Sequence, residues 1–309
     1  MRVFVTGASG WIGSAVVPEL IGAGHQVVGL ARSDDSATAL IAAGVEVHRG
    51  ALDDLDSLRS AAGASDGVIH LAFKHELAFT GDFQGAADAD RRAVEAFADA
   101  LKGTDRPLVI ASGTLGVSPG RVATEVDGHD DNPSRAALGE GPRTRWATSE
   151  FALSLASRGV RSSIMRLPPT NHGDGDHGFV ATLVAIARDK GVSGYIGDGT
   201  NRWPAVHRLD SARLFRLALE AAPSGSTLHA VADEGVPIRD IAGVIGRGLN
   251  LPVVSIAPDD APEHFTWLAH FLALDSPASS VVTRELLDWQ PVQSGLISDL
   301  EEGHYFSGR

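Results

Sequence analysis

A glycine-rich turn close to the first residue constrains the fold more than any other feature of the sequence. The turn reads Thr6-Gly7-Ala8-Ser9-Gly10-Trp11-Ile12-Gly13 and lies between an apolar β-branched run at 3–5 and a segment of helical period at 12–22. Glycine at its three positions allows a tight turn, a close approach of a ligand to the backbone, and packing of the helix on the strand. A strand, a glycine turn and a helix in this order are typical of a βαβ unit that binds the phosphates of a dinucleotide.

Short β-branched runs and longer helical segments alternate through the first half of the chain. Strands are predicted at 3–5, 26–30, 45–48, 67–71, 108–111 and 161–166, and helices at 12–22, 36–43, 55–62, 86–101 and 145–156. This alternation predicts an α/β fold of the Rossmann type, which is a doubly wound parallel sheet with helices on both faces.

Beyond residue 166 the chain becomes richer in proline and loses the regular alternation. Helices are predicted there at 179–190, 210–221, 238–247, 263–274, 283–288 and 296–306. We interpret residues 1–166 as a dinucleotide-binding domain. Residues 167–309 are interpreted as mainly a smaller α/β substrate-binding lobe, with some later segments returning to the first domain.

Composition and charge exclude several classes of partner. The chain has 26 Lys and Arg against 39 Asp and Glu, a net charge of −13, so most of its surface would repel a nucleic acid. It has no cysteine, which excludes disulfides and thiolate metal sites. No apolar run reaches membrane-spanning length, and we expect no signal peptide because the apolar run at 3–5 begins the sequence directly. We expect a cytoplasmic protein whose partner is a small-molecule substrate rather than a nucleic acid or a membrane.

The end of the second predicted strand selects between the two nicotinamide dinucleotides. A fold of this kind that binds NAD(H) places an acidic residue there, which accepts a hydrogen bond from the ribose. Here Arg32 and Ser33 stand at that point, and they can pair with and donate to a 2′-phosphate. We therefore predict NADP(H) as the cofactor ahead of NAD(H). The alternative is that Arg32 is a solvated charge and that Asp34 or Asp35 binds the ribose.

Further motifs resemble those of the extended short-chain dehydrogenase/reductases, the branch that contains the nucleotide-sugar epimerases and dehydratases. Besides the glycine turn, the resemblance rests on residues 66–72, 109–114, 166–168, 197–199, 207–210 and 287–291, so it covers nearly the whole chain. The resemblance implies cofactor contacts from Leu52 at the adenine, from Leu71, Ala72 and Phe73, and from Pro168, Ser112 and Thr114 at the nicotinamide.

The sequence departs from that family in its acid–base chemistry. The family works with a Tyr-x-x-x-Lys pair, in which the phenol relays a proton and the lysine holds the ribose. The chain has two tyrosines, Tyr195 and Tyr305, which are followed four residues later by Gly199 and Arg309. The pair is therefore absent from this sequence.

The segment that aligns best with the missing pair carries Trp146 in place of the tyrosine and Glu150 in place of the lysine. An indole N–H does not titrate near neutral pH, so Trp146 cannot be a general acid or base. Glu150 can still accept hydrogen bonds from the ribose, although its charge would raise the pKa of a neighbouring acid. The sequence thus predicts a cofactor site without the family's proton relay.

Two residues are candidates for the catalytic work that remains. Thr114 is placed by the resemblance to hydrogen-bond a carbonyl or hydroxyl of the substrate. His172 stands where relatives carry an aromatic residue before glycine on a loop that lines the pocket, and histidine titrates near neutrality. The alternative for His172 is a structural role in closing that turn.

Basic and aromatic residues on segments that border the family's substrate cleft suit an anionic substrate. These candidate substrate-binding residues are Lys74, His75, Arg143, Arg145, Trp146 and Arg202. Each of the charged ones could equally be a solvated surface residue. The histidine- and aspartate-containing run at 172–177 lacks the ligand spacing of known metal motifs, so we interpret it as a turn and predict no metal site.

Two functional hypotheses follow from these features. The first is an NADP(H)-dependent oxidoreductase or epimerase/dehydratase-like enzyme that acts on a small polar carbonyl, hydroxyl or sugar-type substrate with a non-standard proton donor. The second is a catalytically silent protein that senses NADP(H) as a regulator or scaffold. The resemblance also implies a homodimer formed through the helices at 86–101 and 145–156.

Overall fold

The computed structural model of the chain describes residues 1–129 and 140–307. The strands are β1 (Arg2–Thr6), β2 (Gln26–Ala31), β3 (Glu46–Arg49), β4 (Gly67–His70), β5 (Pro107–Gly113), β6 (Arg161–Leu167), β7 (Thr170–His172), β8 (Ser193–Ile196), β9 (Arg202–His207), β10 (Ser226–His229), β11 (Asp233–Pro237) and β12 (Val253–Ile256). The helices are α1 (Gly13–Gly22), α2 (Asp34–Ala42), α3 (Leu55–Gly63), α4 (His75–Phe79), α5 (Phe83–Leu101), α6 (Glu140–Ser154), α7 (Phe179–Lys190), α8 (Arg208–Ala221), α9 (Ile238–Leu249), α10 (Ala261–Phe265), α11 (Ala269–Leu272), α12 (Val281–Leu287) and α13 (Leu296–Glu301).

Seven strands form one parallel sheet in the order β10-β6-β5-β4-β1-β2-β3. The chain moves outward from β1 in one direction through β2 and β3, and then in the other direction through β4, β5 and β6. The register pairs Thr6 at the end of β1 with His70 at the end of β4. Between these two strand ends the winding reverses, and ligands of doubly wound sheets bind in the crevice outside such a point.

Helices cover both faces of the sheet, as predicted. One apolar cluster joins the sheet to α1, α2 and α8 and includes the buried Val16 and Phe215. A second cluster joins the other face to α3, α5 and α6 and includes Phe97 and Leu155. Burial of a side chain of this size stabilises the fold by about 1.5–3 kcal/mol, so the two clusters hold the crevice on a rigid base.

A third apolar cluster lies in the second half of the chain. It packs α7, α9, α10, α11 and α13 against a three-stranded sheet, β11-β9-β7, and a parallel pair, β12-β8. Trp203 and Phe265 are fully buried in it. Other late elements return to the main sheet, because β10 pairs with β6 and α8 packs against α1. Within the described ranges, no helix has both the length and the apolar character that a membrane crossing requires.

The six predicted strands of the first half are confirmed to within two residues at each end, but two late helices differ from the prediction. The helix predicted at 263–274 is interrupted at Thr266, whose φ is 53°, and a short 3-10 turn separates α10 from α11. The helix predicted at 296–306 ends at Glu301 because the chain turns at Gly303, whose φ is 86°. The sequence analysis also missed α4 and the six later strands, β7 to β12, each of which is three to six residues long.

A buried histidine connects β10 to the rest of the sheet. The Nδ1 atom of His229 lies 2.8 Å from the carbonyl oxygen of Ser279, and its Nε2 atom lies 3.3 Å from the guanidinium of Arg166. A carbonyl can only accept and a guanidinium can only donate, so His229 is neutral with its proton on Nδ1. Burial and the charge of Arg166 lower the pKa of His229 to about 4.

This histidine predicts a loss of stability in mild acid. An unfolded histidine has a pKa of about 6.5. Between pH 6.5 and 4, this histidine therefore binds a proton in the unfolded chain but not in the folded one. We expect the free energy of unfolding to be unaffected by this residue above pH 6.5. It should fall by up to about 1.4 kcal/mol per pH unit toward pH 4. Urea unfolding at pH 7 and pH 5 measures the change.

The matched control is His229→Gln, whose amide can donate to Ser279 and accept from Arg166 without titrating. Its unfolding free energy should vary less with pH than that of the wild type. Equal pH dependence in the two chains would show that His229 does not carry the effect.

Candidate functional site

The glycine turn lies at the carboxyl end of β1 and can be formed only by glycine at two of its positions. Gly7 has a φ of 67°, and a Cβ atom there would lie 2.8 Å from the amide nitrogen of Ala72. A Cβ atom at Gly13 would lie 2.1 Å from the carbonyl oxygen of Gly7. Ser9 and Gly10 are exposed at the tip of the turn. The turn therefore exposes its backbone at the mouth of the crevice, where a ligand can approach it closely.

Helix α1 begins at this turn with its amino end open. No side chain caps the helix, and its first turn contains no acidic residue. Ile12 and Trp11 just before it are half-buried, and the indole Nε1 of Trp11 donates to the carbonyl oxygen of Asn171 at 2.7 Å. Free amide groups and the positive end of the helix dipole favour a phosphate at this position. The exposed turn and open helix end thus fit a dinucleotide.

Two guanidinium groups lie near the end of β2. The Arg32 side chain is 73% exposed, and the nearest carboxylate, that of Glu76, is 4.0 Å away. Asp34 is paired with Arg49 at 2.6 Å, so its charge is neutralised by a residue of the neighbouring strand. Ser33 caps α2 by accepting from the amide of Ser36. The predicted 2′-phosphate position therefore offers one exposed guanidinium, whose pairing with the exposed Glu76 is loose.

The remaining predicted cofactor contacts surround the ends of β3, β4 and β6. Leu52 is buried in the turn after β3. Leu71, Ala72 and Phe73 follow β4 and are half-buried. Pro168 is buried directly after β6. The structure thus brings the predicted adenine and nicotinamide contacts to the same edge of the sheet as the glycine turn.

Two hydroxyl residues near the end of β5 differ in their partners. Ser112 lies 3.1 Å from the hydroxyl of Ser149 on α6, so these two hydroxyls satisfy each other. Thr114 is 1% exposed, and its hydroxyl has no hydrogen-bond partner among the described residues. A buried hydroxyl without a partner is costly unless a ligand or water completes it. Thr114 is therefore suited to bind a ligand.

A buried polar network lies behind the crevice. His70 bonds Thr6 through Nδ1 at 2.6 Å and Asp90 through Nε2 at 3.2 Å, and Arg145 pairs with Asp90 at 3.0 Å. Burial raises the pKa of Asp90, but Arg145 and His70 outweigh it and hold that pKa below its ordinary value. The carboxylate is therefore ionised and accepts hydrogen bonds from its buried partners.

The same network fixes the orientation of α6. Arg145 donates to the carbonyl oxygen of Ala111 on β5, and its guanidinium lies 4.1 Å from the ring centroid of Phe73. Arg145 and Ser149 are thus the α6 residues that contact the end of β5. Trp146 is half-buried, and Glu150 is exposed and lies 2.8 Å from Nδ1 of His129.

Carboxylates pair with several of the predicted substrate-binding residues. Lys74 is paired with Asp53 at 2.6 Å, and Arg202 makes two bonds to Asp275 at 2.9 and 3.0 Å. Arg143 is exposed on α6. Lys74 and Arg202, like Arg145, are therefore engaged by carboxylates.

His75 is the predicted substrate-binding residue whose pKa is shifted. Its ring is exposed at the start of α4 and lies 5.1 Å from that of Phe73. Desolvation by the surrounding protein and the nearby charges of Arg145 and His177 lower the pKa of His75. The ring is therefore predominantly neutral at pH 7, so it can accept a proton as well as donate one.

His172 lies in the interior of the second half of the chain. Its side chain is fully buried, and Nδ1 lies 2.9 Å from the carboxylate of Asp299. Its ring centroid is 5.4 Å from that of His207. Asp299 also approaches Glu302 and His304, and one polar atom of each of the three lies within 4.8 Å of the other two.

The sequence analysis missed Asp90 as part of the site. The signal was present, because Asp90 interrupts the buried, alanine-rich face of α5. A carboxylate on such a face needs a buried partner. The partners, His70 and Arg145, are 20 and 55 residues away along the chain, so spacing could not identify them.

The Asp90 network predicts a large stability loss when one charge is removed. Asp90→Asn leaves the Arg145 guanidinium without its carboxylate, and we expect it to lower the free energy of unfolding by about 3 kcal/mol. Arg145→Met should also destabilise. The double variant should lose clearly less than the sum, because neither charge is then left alone. The control, Glu95→Ala, breaks a partly exposed pair with Arg91 and should cost under about 1 kcal/mol. Additive losses would contradict a coupled pair.

Comparison with known proteins places this site in a family. The sequence model of the NAD dependent epimerase/dehydratase family matches residues 3–231. An uncharacterised protein of Schizosaccharomyces pombe is 48% identical over 307 residues, which cover 99% of this chain and 100% of that protein. One of Saccharomyces cerevisiae is 47% identical over 306 residues, which cover 98% and 99%.

A solved structure gives the same result for the fold. A dTDP-glucose 4,6-dehydratase from Streptomyces venezuelae, with NAD and TYD bound, is 18% identical and superposes with a TM-score of 0.77 over 99% of this chain and 96% of that one. The strand order, the glycine turn and the family match agree. The chain belongs to the NAD dependent epimerase/dehydratase family, within the extended short-chain dehydrogenase/reductases.

Proposed function

We propose that the chain is an NADP(H)-dependent oxidoreductase or epimerase/dehydratase-like enzyme that acts on a small polar carbonyl, hydroxyl or sugar-type substrate with a non-standard proton donor. The observation that carries the proposal is the buried, unpartnered hydroxyl of Thr114 at the sheet edge that also holds the glycine turn. Other buried hydroxyls, such as that of Ser162, also lack a partner among the described residues, but Thr114 is the one that lies beside the predicted nicotinamide contacts.

The nicotinamide cofactor supplies a hydride acceptor or donor when bound. The amide groups of the glycine turn and of the first turn of α1 hold its pyrophosphate, and Leu52 flanks the adenine. The backbone near Pro168 and the side chains that follow β4 contact its nicotinamide half. The open end of α1 and the glycine-only contacts at Gly7 and Gly13 support this assignment.

The charges near β2 support NADP(H) over NAD(H). Arg32 has no carboxylate closer than 4.0 Å, and a guanidinium binds a phosphate through two parallel hydrogen bonds. Asp34, which could have bound a ribose hydroxyl, is paired with Arg49. A 2′-phosphate at this position would therefore lie beside the guanidinium of Arg32. The neighbouring carboxylate, that of Asp34, is already paired with Arg49.

Thr114 and His75 are our candidates for contact with the substrate. The Thr114 hydroxyl donates to a carbonyl or hydroxyl oxygen of the substrate and stabilises the charge that develops there. We assign proton transfer to His75 rather than to His172, because the His75 ring is exposed and the His172 ring is fully buried against Asp299. Arg145, fixed by Asp90, supplies a positive charge beside Phe73.

The alternative function, a silent NADP(H) sensor, is favoured by the absence of the Tyr-x-x-x-Lys pair from the sequence. It shares the cofactor site and differs in turnover.

A homodimer through α5 and α6 also stays a prediction. Among described residues, the exposed large apolar side chains all lie on other elements, and sedimentation at twice 32.2 kDa would establish the dimer.

Cofactor preference provides the first test. Arg32→Ala should weaken NADPH binding by about tenfold to a hundredfold and leave NADH binding within about twofold, because only NADPH carries the 2′-phosphate. Fluorescence titration measures both dissociation constants. Arg59→Ala, which removes a half-buried arginine of α3 that pairs with Asp56 and Asp99, is the control and should change neither. Equal affinities of the wild type for the two cofactors would contradict the NADP(H) assignment.

Turnover provides the second test. Thr114→Val removes the unpartnered hydroxyl at constant volume, so stability should be unchanged or higher, whereas NADPH oxidation with carbonyl compounds and sugar nucleotides should fall about a hundredfold. Ser162→Ala, a buried unpartnered hydroxyl at the opposite end of β6, should leave turnover intact. If the wild type binds NADPH tightly but oxidises it with none of these carbonyl compounds and sugar nucleotides, the result would favour the sensor function.

A further inference from the structure

Arg208 is the first residue of α8, and it stacks on the indole ring of Trp11 in the glycine turn. Its guanidinium carbon lies 4.2 Å from the centroid of the Trp11 ring, and the residue is half-buried. Within the described ranges, no carboxylate lies within 4.0 Å of this guanidinium and no acceptor is hydrogen-bonded to it. This distinguishes it from Arg145 and Arg202, which are paired with Asp90 and Asp275.

Trp11 is a fixed platform for this cation. Its indole N–H donates to the carbonyl oxygen of Asn171 at 2.7 Å, and the ring of His177 packs against its edge at 5.5 Å. A guanidinium stacked on an aromatic face keeps its N–H groups in its own plane, where they remain available for hydrogen bonds. The stacking therefore orients Arg208 without using its donors.

The position of this platform points to a negatively charged ligand. Trp11 lies between Gly10 and the open end of α1, where amide groups already favour an anion. His177 adds a second basic side chain on the same ring. The chain as a whole carries a net charge of −13, so an arginine with no carboxylate partner at this turn is not explained by a shortage of acids.

We propose that Arg208 is an anion-binding residue of this site and that it takes a phosphoryl or carboxylate group through two parallel N–H···O bonds. The inference deepens the proposed function and rests on it, because the dinucleotide would lie over the same turn. Two sources share this chemistry: the pyrophosphate of the cofactor and an anionic group on the substrate.

The test compares the wild type with Arg208→Met, which keeps the apolar stem, and with Arg208→Lys. The matched control is Arg213→Met on the same helix, whose guanidinium reaches only the carbonyl of Gln290, at 3.4 Å. In one arm, fluorescence titration gives the NADPH dissociation constant. In the other, thermal unfolding is followed against inorganic phosphate and against oxalate, with and without NADPH.

We expect Arg208→Met to weaken binding at least tenfold in one arm, Arg208→Lys to retain part of it, and Arg213→Met to match the wild type. A loss in the NADPH arm assigns the cofactor pyrophosphate. A loss confined to phosphate or oxalate assigns a substrate anion. Unchanged binding in both arms would overturn the proposal.

A second variant separates this role from a structural one. Trp11→Leu removes the platform but no charge, and it should reproduce the loss seen for Arg208→Met in the same arm. Full retention by Trp11→Leu would contradict the stacked arrangement. Failure of the wild type to bind NADPH would count against the proposed function alone, because the phosphate and oxalate titrations still decide the role of Arg208.

Discussion

The contact between Gly13 and the carbonyl of Gly7 is the constraint on which the site depends. Any side chain at Gly13 would place its first carbon 2.1 Å from that oxygen, so β1 can pass into α1 along this path only if the residue is glycine. The path in turn fixes the open end of α1 and the orientation of Trp11. The stacked Arg208 and the expected phosphate position both follow from it.

Charged side chains near this turn lie in two places. Some are paired in the interior behind it, and others lie at the edge of the crevice. Asp90 and Arg145 neutralise each other in the interior, where an unpaired charge would cost several kcal/mol. The pair holds α5, α6 and the end of β5 together, and the guanidinium groups of Arg32 and Arg208 lie at the edge of the crevice. In an acidic protein, these basic groups make the crevice the favourable place for a dinucleotide and an anionic substrate.

The sheet and the glycine turn could be predicted because both are local. Each strand of the first half is a short β-branched run, and the turn is eight consecutive residues. The charge pairs could not be predicted in this way. Arg202 meets Asp275 across 73 residues and His172 meets Asp299 across 127, and no periodicity links such partners.

Burial was the other property that the sequence could not provide. His172 and His75 look alike in the sequence, yet His172 is fully buried and His75 is exposed. Similarly, α10 and α11 have a continuous helical pattern, but Thr266 adopts a positive φ and divides them. In both cases, tertiary packing overrides the local preference.

A crystal structure of the chain grown with NADPH tests the central claim most directly. The account predicts electron density for the whole dinucleotide along the sheet edge, with the pyrophosphate at the amide groups of Trp11 and Ile12 and the 2′-phosphate at Arg32. The nicotinamide should lie beside Thr114. A crevice that stays closed by side chains at saturating NADPH, or density elsewhere on the chain, would contradict it.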